Sequence, residues 1–330
     1  MKLCSYNIEW FDDLFDSDNS LKTDPASKDR FNAIGTILQE ISADIVCIIE
    51  APNHMVNGQK KTIACLENFA NEQGLSTTKA LIGFASVGRQ EVAVLYNPNK
   101  VDVSHMPGGS GVKNPPFNGR FEHDADGDGI KEIYKFFRPP LELEIKRLSD
   151  NCVYKLIAAH TKSKGIFSSS DMIHWELESK KNRRKLYAEC AWIRNRVDEW
   201  LDKGSNVIVV GDINDGPGMD SYEFSFGKSA VEIIMGSIYE PEKILKSHIG
   251  QPKWGQYGWE PSSTSFKDRF TQTYINVLID HILLSQGIEI IKDSHMVWNP
   301  FQNYVAKPLK EALLKASDHF PITIEFKEKD

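Results

Sequence analysis

One short run constrains the fold of this chain most. Val207, Ile208, Val209 and Val210 follow one another without a polar break. β-Branched side chains favour extended backbone, and a run without alternation reads as a short strand covered on both faces. Gly211 then lets the backbone turn, and Asp212, Asn214 and Asp215 follow at once, ahead of Pro217 and Gly218. Two carboxylates and an amide thus crowd the mouth of an apolar strand. A carboxylate there needs solvent, a partner or a cation, because burying it bare is very costly. Alone, the stretch fits an Asx turn just as well.

The same pattern recurs along the chain. Leu3 to Ile8 reads as a strand that carries Asn7 near its end, and Asp44 to Ile49 as one that ends on Glu50. Tyr154 to Ala159 ends on His160, Val277 to Leu284 carries Asp280, and Asp318 with His319 leads into a last strand, Ile322 to Phe326. Glu91 to Tyr96, Val101 to His105, Ile133 to Phe137, Leu141 to Ile145 and Ile288 to Trp298 read as further strands. Helical spacing of apolar residues predicts helices from Pro25 to Gln39, over Thr62 to Glu72, and a long one that ends near Leu201. No internal repeat or low-complexity linker divides the 330 residues, so the reading is one domain over residues 1–330.

Composition narrows the partners. A net charge of −7 excludes an all-over basic surface, so a phosphodiester substrate would depend on bound cations and a local basic groove. The five cysteines form no Cys-x-x-Cys pair and read as free thiols in a reducing compartment. The N-terminal residues lack an apolar leader, which predicts a cytoplasmic location; secretion stays open if a leader has been removed. No apolar run is long enough to span a bilayer, and no protein partner can be inferred.

Glu50, Asp212, Asp280 and Asp318, with Asn7, Asn214, His160 and His319, would repel one another if gathered at one rim without cations. An oxygen-rich set of this kind suits a hard cation such as Mg²⁺ or Mn²⁺. Histidines beside it suit proton transfer or stabilisation of charge on phosphorus-bound oxygens. A second acidic group, Asp124, Asp126 and Asp128, lies in a Gly- and Pro-rich loop over residues 107–129. Its alternation fits structural Ca²⁺ or a solvated acidic turn, and Lys135 stands where an EF-hand loop has its last glutamate.

Together, Tyr6-Asn7-Ile8-Glu9-Trp10, Glu50 with Asn53, His160-Thr-Lys-Ser-Lys-Gly, Gly211-Asp-Ile-Asn-Asp, Ile279-Asp-His-Ile and Ser317-Asp-His-Phe-Pro resemble the endonuclease/exonuclease/phosphatase superfamily in kind and order. The histidine of His160-Thr-Lys-Ser-Lys makes the deoxyribonuclease-I-like branch the nearest. The resemblance implies an α/β fold, a four-layer α/β/β/α sandwich with the site at one rim of two sheets. It implies metal ligation by Glu50, Asn7 and Asp318, and orientation of the nucleophilic water by Asp212 and Asn214. His319 would act on the scissile phosphate with Asp280 fixing its tautomer, and His160 would serve the leaving group or a phosphate oxygen. The branch also has a carboxylate behind the residue matched by His160, with Glu91 or, one residue off, Gln90 in reach of that place.

Asn53, Arg138 and Lys162 are the expected substrate contacts, with Lys164 along the same path. The basic run from Lys180 to Lys185 reads as a solvated helix face, and Trp254, Tyr257 and Trp259 as base-stacking or packing residues. The expected activity is metal-assisted in-line hydrolysis of a phosphodiester, with DNA, or else RNA, as substrate. The alternatives are a sphingomyelinase-like or small-phosphodiester hydrolase, and a catalytically silent binding module on the same scaffold.

Overall fold

The computed structural model describes residues 1–166, 171–216, 227–247, 261–267 and 272–328. In chain order the strands are β1 (Lys2–Asn7), β2 (Ile45–Ala51), β3 (Lys79–Ile82), β4 (Glu91–Tyr96), β5 (Val101–His105), β6 (Phe121–His123), β7 (Glu132–Tyr134), β8 (Leu141–Arg147) and β9 (Val153–His160). They continue as β10 (Asn206–Asp212), β11 (Lys246–Ser247), β12 (Thr264–Lys267), β13 (Tyr274–Val277), β14 (Asp280–Leu284), β15 (Ile288–Ile290), β16 (Met296–Val297) and β17 (Ile322–Glu328). The helices are α1 (Pro25–Ile41), α2 (Thr62–Glu72), α3 (Met172–Asp202), α4 (Ala230–Met235) and α5 (Lys310–Ala316).

Two mixed sheets carry the fold. One runs β15-β17-β1-β2-β4-β3, with β16 also on β17; the other runs β11-β14-β10-β9-β8-β5. At the centre of each lies a parallel pair, β1 with β2 and β9 with β10. Alternation along these strands divides the core. Ile208 and Val210 meet Leu3, Cys47, Ile49 and Phe326 between the sheets. Val207 and Val209 point the other way, against Leu186, Cys190, Ile193 and Val197 of α3. On the first sheet Cys4, Tyr6, Val46 and Ile48 pack on Phe31 and Ile34 of α1, Phe69 of α2 and Leu313 of α5. Three apolar clusters are what a stack of helices, sheet, sheet and helices requires. Each fully buried Leu, Ile or Val contributes roughly 1.5–3 kcal/mol.

Local chemistry sets the boundaries. Asp24 caps α1, accepting from the Ser27 N–H at 3.0 Å, and Pro25 fills the first helical position. Ile41, fully buried, carries that helix two residues past the predicted end at Gln39. The predicted single strand from Val277 to Leu284 is two: β13 pairs with β12, whereas β14 joins the second sheet. The predicted strand from Ile288 to Trp298 is also interrupted, by a turn in which Asp293 adopts φ 60°. All five cysteines are free thiols. Among the described residues no helix is long and apolar enough to cross a membrane.

Candidate active site

The two parallel pairs place their polar ends on one rim. Asn7 closes β1, and His160 and Asp212 close β9 and β10 as register partners. Asp280 opens β14 antiparallel to β10, directly opposite Asp212. Gly211 makes this crowding feasible. It sits at φ 132°, and a Cβ there would lie 2.0 Å from the Ala159 carbonyl oxygen. Glu50 stands at a register shift between β2 and β4, with φ 61°. A bulge of this kind re-aims a side chain at the cost of local strain.

His319 is held from behind. Its Nδ1 lies 2.7 Å from Asp280 Oδ2, an oxygen that also accepts from Ser263 Oγ at 2.7 Å. Ser263 Oγ in turn accepts from the Ile279 and Asp280 N–H groups. With Nδ1 engaged, Nε2 faces the gap between Asp212 Oδ2 at 4.0 Å and Asp318 Oδ1 at 3.9 Å. Burial pulls the His319 pKa down, but the charge and hydrogen bond of Asp280, with Asp212 and Asp318, lift it to about 10. His319 is therefore an imidazolium near neutrality. Asp212 moves up, chiefly through burial and the charge of Asp280. Its Oδ2 accepts from Asn7 Nδ2 at 3.1 Å and its Oδ1 from the Asn214 N–H at 2.8 Å. Asn214 adopts φ 53° and donates its Nδ2 to the Thr161 carbonyl, which fixes the loop behind Asp212. Ser317 Oγ donates to the Asn7 carbonyl and accepts from the Glu9 and His319 N–H groups, joining β1 to the loop before β17.

On the other side, Glu50 Oε2 accepts from the Trp10 N–H at 3.0 Å and from Gln90 Nε2 at 2.6 Å. Gln90 Oε1 accepts from Arg138 Nη1, so Gln90 links the acid to the arginine. Asn53 serves this chain from within the protein. Its N–H and Nδ2 donate to Asp12, and its Oδ1 accepts from the Gln90 N–H at 2.9 Å. Neither residue anticipated behind His160 is hydrogen-bonded to it. Glu91 accepts instead from Ser86 and the His54 N–H, because β4 turns its side chain under the loop. His160 Nε2 lies 3.7 Å from Asp212 Oδ2, and its buried Nδ1 has no hydrogen-bond partner among the described residues. Burial, then the charges of Arg138 and His319, hold its pKa well below the ordinary value, so it is a neutral imidazole. Lys164 pairs with Asp215 at 2.7 Å, and Asp215 also accepts from the Ala230 N–H at the start of α4. Trp254, Tyr257 and Trp259 lie outside the described residues.

The donor set fits a hard cation. Among the described residues, Asn7 Oδ1, Asp280 Oδ1 and Asp318 Oδ1 are buried oxygens without a hydrogen-bond partner, which is costly unless something electropositive faces them. Asp212, Asp280 and His319 each offer an atom within 4.8 Å of the others. Asp124, Asp126 and Asp128 form a second such group. There, however, the carboxylates accept from the Gly127, Gly129 and Ile130 N–H groups, and Asp126 pairs with Arg184, as in a self-satisfied acidic turn. Two cavities flank the rim. One of about 260 Å³ lies beside His160 and is lined by Arg138, Lys162, Lys185 and Glu189. The other, of about 880 Å³, lies beside Asp318, with Tyr274 and Phe301 among its walls.

A catalytic-type Asp–His pair, an acidic oxygen set and two mixed sheets meeting at one rim define a phosphate-ester hydrolase scaffold. The sequence matches the Endonuclease/Exonuclease/phosphatase family over residues 4–319, and the chain belongs to that family. No curated protein matched it. Among solved structures it is similar to an endonuclease/exonuclease/phosphatase from Bacteroides vulgatus, with 14% identity, TM-score 0.53, and 99% of this chain and 98% of that one covered. A family protein from Bacteroides thetaiotaomicron also has 14% identity, with TM-score 0.52 and coverage of 100% and 98%. The catalytic domain of human nocturnin, solved with bound sulfate, gives 14%, 0.51, and 100% and 94%. Likeness at this identity speaks for the fold.

Proposed function

We propose that the chain is a single-domain, divalent-metal-dependent phosphodiesterase that cleaves nucleic acid, DNA foremost, by in-line attack of water. The observation that carries this is the His319–Asp280 pair facing Asp212 across a gap bordered by oxygens that have no hydrogen-bond partner among the described residues. A divalent cation such as Mg²⁺, held by Glu50, Asn7 and Asp318, would supply positive charge against the phosphate and lower the barrier to forming hydroxide.

The chain's own groups have separable tasks. Asp280 holds His319 as an imidazolium with Nε2 forward, placed to donate to a phosphate oxygen. Asp212 is the carboxylate across the gap, oriented by Asn7 and Asn214, and takes the proton of the attacking water. Neutral His160 donates to a second phosphate oxygen or the leaving oxygen. Arg138, tethered through Gln90 to Glu50, contacts the phosphate. Nucleic acid is favoured over a lone phosphate ester by the cavity beside Asp318, where exposed Tyr274 offers a ring face for stacking a base and Phe301, with Lys310 Nζ 4.7 Å from its centroid on one side, offers the other side of its ring.

The test is a substrate panel of plasmid DNA, single-stranded DNA, RNA, sphingomyelin and a nitrophenyl phosphodiester, each with Mg²⁺, Mn²⁺ or EDTA. Metal-dependent release of nucleotides or nicking of plasmid is expected. Hydrolysis confined to the lipid or chromogenic ester would replace the nuclease reading, and no hydrolysis of any substrate would leave a binding scaffold.

A further inference from the structure

The smaller cavity, of about 260 Å³, opens beside His160. Three cationic side chains line it: Arg138 from the loop before β8, Lys162 just after β9, and Lys185 from α3. Lys180 and Lys181 of the same basic run are exposed, whereas Lys185, about a turn further along, lies against the cavity. The one acid among the described lining residues is Glu189, only 2% exposed. Its Oε2 accepts from the Lys162 N–H at 2.7 Å, and its Oε1 lies 3.8 Å from Lys185 Nζ. Within the described lining one carboxylate faces three cations, in a chain whose net charge is −7; outside the lining, Glu50 and Asp212 also act on Arg138, and Glu178 on Lys162. Burial, then the neighbouring charge of Lys185, depresses the Lys162 pKa against the opposing charges of Glu189 and Glu178, and its Nζ donates to the Ser163 carbonyl at 3.0 Å. Three cations lining one cavity beside a reaction centre are arranged for an anion.

We infer that Lys162 and Lys185, next to the Arg138 that contacts the phosphate being cleaved, form an anion subsite that holds a second phosphate of the substrate. This rests on the phosphodiesterase reading and narrows its substrate class to molecules with at least two phosphates in reach, as in an oligonucleotide. A choline headgroup is the wrong chemistry for it. A quaternary ammonium would meet three like charges, and recognition of such a cation needs open aromatic faces. Beside the imidazole of His160, Phe137 is the one aromatic side chain in the described lining, and the Arg138 guanidinium already lies 5.8 Å from its centroid.

The experiment compares a thymidine dinucleotide with its forms phosphorylated at the 5′ or the 3′ end, reading kcat/KM in Mg²⁺ for the wild type, Lys185→Ala and Lys185→Arg. One phosphorylated form is expected to be cleaved about tenfold better than the plain dinucleotide, a difference one charge-assisted contact supplies. Lys185→Ala should erase that preference while leaving the plain dinucleotide within about twofold of wild type, and Lys185→Arg should keep it. A wild type indifferent to the extra phosphate, or a preference that survives Lys185→Ala, overturns the subsite and leaves the nuclease reading standing. If neither a dinucleotide nor any nucleic acid of the panel above is cleaved with any metal, the nuclease reading fails separately. Where no dinucleotide is cleaved, calorimetric titration with inorganic pyrophosphate in EDTA decides the subsite. Binding weakened about tenfold in Lys185→Ala supports it, and absent or unaltered binding overturns it.

Discussion

Asp280 Oδ2 accepts from Ser263 Oγ and faces His319 Nδ1, both at 2.7 Å, so one carboxylate oxygen is shared between a fixed hydroxyl and the histidine it orients. Asp280→Asn keeps the shape and removes the charge. The expected outcome is a fall in kcat of at least about a hundredfold, by the logic of other Asp–His pairs. His319 should lose its raised pKa, followed by histidine NMR in EDTA: from about 10 it should drop toward the ordinary value of 6.5. A titration that stays put would show that Asp280 does not set the charge on His319.

Asp212→Ala and His319→Ala each remove a group that faces the gap at 4.0 Å. Each variant should lose at least about a hundredfold in turnover with an unchanged circular dichroism spectrum. Near-normal rates in both would refute the roles given to them.

Glu50→Gln should alter the metal requirement. The substitution keeps an oxygen that can accept from Trp10 and Gln90 but removes the negative charge. The Mg²⁺ concentration for half-maximal activity should rise at least about tenfold, with a parallel weakening of Mn²⁺ binding by electron paramagnetic resonance. Equal metal dependence in the two proteins would move the ion away from Glu50.

Gly211→Ala tests how closely β9 and β10 approach. The new methyl would meet the Ala159 carbonyl at 2.0 Å from a backbone at φ 132°. A loss of about 2 kcal/mol or more is expected, read as a lower urea midpoint. An unaltered midpoint would mean the strands separate more easily than their register implies.

Glu189 supplies a pH signature. Burial, only partly offset by Lys185 and the Lys162 N–H, pushes its pKa from 4.5 up to about 7. A carboxyl whose pKa is raised by folding favours the native state when protonated. That contribution is complete below pH 4.5 and is lost as pH rises through about 7, at an order of magnitude of 3 kcal/mol. Glu189→Gln, which titrates nowhere in this window, should flatten the fall in stability between those values. Urea unfolding at several pH values checks this, and parallel wild-type and variant curves would contradict it.

Much of the rim could be read without a structure because burial leaves a mark in the sequence. A polar residue that interrupts an apolar run, as Asp212 does after Val210 or Glu50 after Ile49, is conspicuous since ordinary core positions exclude it. Residues that act by support leave no such mark. Ser263 sits in a Ser-Ser-Thr stretch, and only the pairing of β12 with β13 delivers its hydroxyl to Asp280. Gln90 differs from a surface glutamine only through what Glu50 and Arg138 bring to it. Lys185 was hidden in a basic run whose other lysines do face solvent. The helix α4 carried a legible signal in Ser229-x-x-Glu232, where the serine hydroxyl and glutamate carboxylate cap each other's N–H groups. The break between Val277 and Asp280 was not legible, because both halves are apolar enough to be strand and only their different sheets separate them.

The pairing of β1 with β17, Lys2 through Ser5 against Glu325 through Ile322, has a consequence for when the rim can assemble. Asn7 reaches Asp212 across 205 positions of chain, and Ser317 reaches the Asn7 carbonyl across 310. Contacts so distant along the chain form late and slowly, since a long loop must close before they return any stabilisation. During synthesis the first strand therefore waits, its edge toward β17 unpaired, until residues 322–325 are available to pair with it. A chain that stops before Ser317 lacks His319 and the strand that pairs with β1, so the residues ahead of that point cannot assemble the rim by themselves.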